Sequence, residues 1–106
     1  MITIIDKIKL KNPDFHAQFM QWVTDTDYPA CQQLKSVVSF QVFTLNSEQA
    51  DFIEIIQVTS LEAFERDMQT AVFQSLVSRF SQMAEVVEQS VLSPILPGYQ
   101  RESGQS

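Results

Sequence analysis

Two short stretches of this chain carry apolar residues on both of their faces, and that pattern limits the fold more than any other feature. Residues 36–45 (SVVSFQVFTL), read as a strand, place Val38, Phe40 and Val42 on one side and Val37, Phe43 and Leu45 on the other. Residues 51–59 (DFIEIIQVT) do likewise, with Phe52, Ile56 and Val58 against Ile53 and Ile55. A sheet with one wet face alternates apolar with polar residues, so these strands belong to a sheet covered on both sides. Two helices can cover only one side. The other would expose a larger apolar patch than monomers usually tolerate, and a second copy related by a two-fold axis is the commonest remedy. A face-to-face homodimer is therefore expected. The alternative is a monomer whose tail folds back over the open side.

The remaining segments supply the helices and two more strands. Residues 2–10 (ITIIDKIKL) are β-branched and read as a strand. Asn12, Pro13 and Asp14 have the chemistry of a helix start, and Phe15, Phe19, Trp22 and Val23 then recur at helical spacing over roughly 13–24. Thr24–Asp27 reads as a polar break before Tyr28-Pro29 and a short helical piece from Ala30 to Leu34. Thr59 and Glu62 have capping-box spacing for a helix over 60–69, and Thr70 can cap the next, with Phe73, Val77 and Phe80 on one side. Residues 85–92 read as the fourth strand. The order β–α–β–β–α–β predicts an α+β, ferredoxin-like domain with a four-stranded antiparallel sheet. A chain of 106 residues fits one such domain, here residues 1–95, with 96–106 as a tail.

Charge and cysteine usage exclude several function classes. The net charge is −6, and the seven basic residues are scattered apart from Lys7, Lys9 and Lys11 on the first strand. Nucleic-acid binding needs clustered positive charge, so none is expected. Cys31 is the single cysteine, which rules out an intrachain disulfide. No signal-peptide run or bilayer-length apolar stretch is present, so a cytoplasmic protein without membrane contact is expected. With one histidine and two glycines, both in the tail, neither a histidine metal site nor a phosphate-cradling loop is available. Any catalysis is expected to need no cofactor.

Five groups of residues could carry chemistry. His16 lies at the edge of the first helix's apolar stripe; a near-neutral pKa would suit it to proton transfer, although burial among apolar neighbours explains it equally well. Tyr28, in the Asp27-Tyr28-Pro29 corner, either orients a ligand with its hydroxyl or packs its ring, with Asp27 or a threonine capping the next helix. Asp6 and Glu54 interrupt apolar strand faces, where each needs a partner or a proton. A Lys or Arg across the sheet, or water at the dimer edge, could serve; the sharper alternative is a cavity carboxyl with raised pKa, and Glu54 is its better candidate. Phe19, Trp22, Phe40, Phe73 and Phe80 could line a slot for a flat heteroaromatic ligand or simply form core. Cys31 reads as packing.

Residues 22–30 (WVTDTDYPA), the strand 51–58 (DFIEIIQV), the following Leu61-Glu62-Ala63-Phe64 and Asp67-Met68 together resemble the RedY-like proteins of the HapK and PigK type. These are encoded with the enzymes that make prodigiosin-type tripyrrole pigments. Gln57 departs from that pattern, which has an acidic residue there. The resemblance, over residues 1 to about 95, implies a dimeric α/β barrel and a role on the branch that builds the methoxy-bipyrrole aldehyde. Joined to the residues above, the leading reading is a small pyrrole-type ligand held by aromatic walls and oriented by Tyr28, with His16 or Glu54 moving a proton. Two rivals stand beside it: a non-catalytic protein that hands an intermediate to other biosynthetic enzymes, and a cofactor-free monooxygenase, the latter on fold analogy alone.

Overall fold

A computed structural model describes residues 1–102 of the chain. Four strands, β1 (Ile2–Leu10), β2 (Val37–Thr44), β3 (Phe52–Val58) and β4 (Ala84–Leu92), form one antiparallel sheet in the order β2-β3-β1-β4. Helices α1 (His16–Trp22), α2 (Tyr28–Ala30), α3 (Leu61–Met68) and α4 (Ala71–Met83) provide the connections. This is the expected α+β, ferredoxin-like arrangement, the subunit fold of dimeric α/β barrels.

Local chemistry explains the helix starts. The Asn12 side chain accepts from the Asp14 N–H at 2.9 Å, and Pro13–Phe15 form a tight first turn before α1. Thr70 caps α4 by accepting from the Phe73 N–H at 3.2 Å. At α3 the cap differs from the reading above. Ser60, not Thr59, accepts from the Ala63 N–H at 3.1 Å, and Glu62 turns outward to Arg66 at 3.2 Å.

The polar run Thr24–Asp27 does not break the first helix. Val23–Asp27 continue it as one wide turn, closed by the Tyr28 N–H donating to the Val23 carbonyl five residues back. Pro29 supplies the reason. Proline has no N–H for the carbonyl four residues back, and its ring crowds that carbonyl; a widened turn relieves both problems. Asp27 consequently has helical backbone angles and makes no side-chain cap, contrary to the capping role read from sequence.

Two bulges decide which side chains face the helices. In β2, Val37 pairs with Val58 but Ser39 with Gln57, so Val38 is the extra residue. Val37, Phe40 and Val42 therefore point inward, while Val38 is 51% exposed, correcting the reading that put Val38 rather than Val37 on the side of Phe40 and Val42. In β4, Ile8 pairs with Val86 but Lys7 with Glu88. The added residue reverses the alternation beyond it.

All helices lie over one face, and the core beneath them is in two parts. Ile8, Leu10, Phe19, Val23, Phe52, Met83 and Ala84 form one cluster. Ile4, Ile56, Val58 and Phe64 form the other. Along the strands, the Asp6–Glu54 pair falls between them. The opposite face carries half-buried Ile5, Ile53 and Ile55, with exposed Phe43 beside them. Residues 93–102 have no helix or strand, and Ile95, Leu96 and Tyr99 are exposed, so this part of the tail does not shelter that face. The rest of the tail, 103–106, lies outside the described residues.

Candidate functional site

Between the sheet and the helices lies a cleft of about 460 Å³. Trp22, Phe40, Phe73 and Phe80 line it, joined by Ile4, Ile56, Phe64, Met68 and Leu76. Asp6, Glu54, Asp27 and Cys31 are its polar groups on the inner side. Its exposed lining residues, Val77, Ser81, Glu85, Val86 and Gln89, come from α4 and β4, with Lys11 beside them. The opening is on that side.

Asp6 and Glu54 sit directly opposite each other on β1 and β3. Two like charges in that position repel, and both groups are removed from most water. Burial first, then a hydrogen bond to Asp6, then the charges of Asp6 and Asp27 push the Glu54 carboxyl well above its ordinary range. Glu54 is therefore the carboxyl of the pair that holds a proton more readily, placed to donate it to Asp6. The Gln89 amide donates to the other side of Asp6 at 2.9 Å. The β4 bulge makes this possible. Without it Glu88 would face Asp6; with it Gln89 does, and Glu88 pairs with Lys7 at 2.7 Å.

Asp27 has a different setting. It is 8% exposed, and among the described residues no hydrogen bond or ion pair engages its carboxyl. Desolvation raises its pKa from 3.8 to about 6. One turn on, the Cys31 thiol donates to the Asp27 carbonyl at 3.5 Å. Burial, then Asp27 and Glu54, push that thiol up to about 11, so it stays protonated and is a poor nucleophile. Among the described residues no cluster of His, Cys, Asp and Glu has metal-holding geometry.

A family model described as REDY-like protein HapK matches residues 2–95. The chain belongs to the HapK family of REDY-like proteins. The crystal structure of HapK from Hahella chejuensis is 38% identical, with a TM-score of 0.91 over 96% of this chain and 100% of that one. SnoaB, a cofactor-independent oxygenase from Streptomyces nogalater, is 15% identical at a TM-score of 0.72, covering 92% of this chain and 97% of its own. A protein described as an antibiotic biosynthesis monooxygenase is 14% identical at 0.68, covering 92% and 100%. At such identities the last two establish the fold. A search of the curated proteins finds no significant match.

Within this HapK-family fold the residues singled out in the sequence separate into two groups. Glu54, Trp22, Phe40, Phe73 and Phe80 meet at the cleft. Phe19, His16 and Tyr28 do not line it. Phe19 is core, with its ring 4.7 Å from Phe52. His16 is exposed rather than partly buried; its ring lies over Phe52 at 5.0 Å, outside the cleft. The Tyr28 hydroxyl accepts from the Val42 N–H at 3.0 Å and from the Gln41 amide at 3.2 Å. It thus satisfies the free edge of β2 and braces Phe40 from behind, ring to ring at 5.5 Å. Asp27 and Gln89 are the cleft residues whose roles sequence reasoning missed. A polar residue in an otherwise apolar stripe was a usable signal for Asp27. None existed for Gln89, which reaches the cleft only through the bulge.

Proposed function

We propose that this HapK-family protein binds a pyrrole or bipyrrole intermediate of prodigiosin-type pigment assembly and gives it acid–base help without a cofactor. The observation that carries the reading is the facing Asp6–Glu54 carboxyl pair at the inner side of an aromatic-walled cleft, where burial and Asp6 push the Glu54 carboxyl well above its ordinary range. Trp22, Phe40, Phe73 and Phe80 offer faces for a flat electron-rich ring. Glu54 can give its proton to a carbonyl oxygen, while the Gln89 amide holds Asp6 in place beside it. Condensation, tautomerisation or dehydration needs only such positioning and proton transfer.

Glu54→Gln tests this in pigment-producing cells. The amide can still donate to Asp6 but has no acid proton to give. Pigment is expected to fall by roughly 10²-fold or more, the usual scale for a general acid, while His16→Ala is expected to leave it unchanged. Full pigment in Glu54→Gln would leave a binding and hand-over role. If activity in vitro also required oxygen, the monooxygenase reading would replace the acid–base one.

The dimer belongs to the same proposal. Ile5, Ile53, Ile55 and Phe43 lie on a sheet face that no helix covers, and the exposed tail residues leave it open. A second copy is expected to pack there. Light scattering at micromolar concentration should give twice the 12.1 kDa subunit mass; a single species at the subunit mass would refute it.

A further inference from the structure

We propose that Asp27 is the ligand-recognition group of the cleft, a carboxylate that accepts the ring N–H of a flat heteroaromatic ligand. The inference rests on the cleft being the binding site, and it adds what the ligand must carry. Asp27 is more than nine-tenths buried, yet nothing in the described protein satisfies it. Among the described residues no fully enclosed polar side-chain atom lacks a partner, so its free oxygens touch the open space of the cleft. A buried carboxylate with no partner costs stability, and such costs concentrate where a ligand supplies the missing partner.

The surroundings define that ligand. Facing Asp27 are Glu54 from β3, Asp6 beyond it on β1, and Cys31 on its own helical segment; Glu85 from β4 and Lys11 stand at the opening. α3 and α4 contribute apolar side chains, with Ser81 near the opening. Among the described residues no cation neutralises Asp27 from within. An anionic ligand is therefore repelled, and a furan or thiophene offers a lone pair where a donor is needed. A polarised ring N–H fits, because a hydrogen bond to a charged acceptor is the stronger kind. Above pH 6 Asp27 is ionised and ready to accept.

The probes are 2,2′-bipyrrole and its isostere 2,2′-bifuran, titrated against fluorescence of Trp22, the sole tryptophan. At pH 8 bipyrrole is expected to bind about tenfold or more tighter than bifuran, and the preference should shrink at pH 5. Asp27→Asn keeps an acceptor without the charge, so the pH dependence should vanish. Asp27→Leu should bring the two probes within about twofold. Because the carboxyl has no partner, neither change orphans another group. Equal binding of both probes to the unaltered protein, or a preference that survives Asp27→Leu, would overturn the assignment while leaving the cleft as a binding site. Binding of neither probe would remove the cleft reading as well.

Discussion

Phe19→Ala is expected to destabilise the protein by about 3–5 kcal/mol, the range for deleting a buried aromatic ring. Phe19 is 1% exposed. Its ring meets Phe52 at 4.7 Å, Trp22 at 5.9 Å and Phe80 at 6.0 Å. α1, the sheet and α4 thus close on one side chain, and little around it can collapse into the hole. Small domains have only about 5–15 kcal/mol in total, so this one substitution would remove a large share. Urea unfolding should show a lower midpoint at unchanged slope. Trp22 and Phe80 also line the cleft, so ligand binding should weaken even where the variant stays folded. Phe19→Leu, which leaves a smaller hole, should lose much less. A cost under about 1 kcal/mol for Phe19→Ala would mean the core is far looser than the ring geometry indicates.

Stability should fall as the pH rises from acid toward neutral, the reverse of ordinary acid denaturation. Asp27 and Glu54 both have carboxyls raised above their unfolded values. Between the unfolded and folded pKa the native state holds more protons than the unfolded chain, so unfolding becomes easier with each step up in pH. For Asp27 that window runs from 3.8 to about 6. Below its lower end the group is neutral in both states and costs little; above its upper end the full penalty is present. Asp27→Asn is therefore expected to stabilise the ligand-free protein at pH 7–8 by about 2–3 kcal/mol, on the order of 10 °C in Tm. At pH 4 most of the gain should be gone. Glu54→Gln should act in the same direction, with its amide replacing the acid proton as donor to Asp6. Thermal unfolding from pH 4 to 8 checks the sign. A flat profile, with neither amide variant more stable at pH 8, would show that water reaches both carboxyls.

The two expectations pull Asp27 in opposite directions: removing its charge should strengthen the fold and weaken recognition of an N–H ligand. A residue kept only for packing has no reason to behave so. Glu54 differs, because its partner Asp6 is built into the sheet, whereas the partner proposed for Asp27 comes from outside.

Much of the fold was legible in single residues and short spacings. Asn12 and Thr70 cap where their side chains allow, because a cap involves only neighbours in the chain. The β-branched content of Ile2–Leu10 and the two-faced apolar run of Phe52–Val58 mark strands, and Asp6 and Glu54 show as interruptions of an apolar face without knowledge of the partner strand. The family resemblance at the Tyr28-Pro29 corner was equally visible. Tertiary structure alone decided the rest. Nothing local says that Asp6 lies opposite Glu54 rather than a lysine, because register depends on pairing across the whole sheet. Nor does any local pattern announce the extra residues at Val38 and in β4. Each one reverses the faces of every side chain beyond it, bringing Val37 and Gln89 inward. The wide turn before Pro29 likewise keeps Asp27 inside a helix instead of at its cap, and the edge of β2 captures the Tyr28 hydroxyl. Element identity comes from short-range preferences carried by each segment. Which side chains meet at the cleft comes from how distant segments align, and that is settled only when they pack.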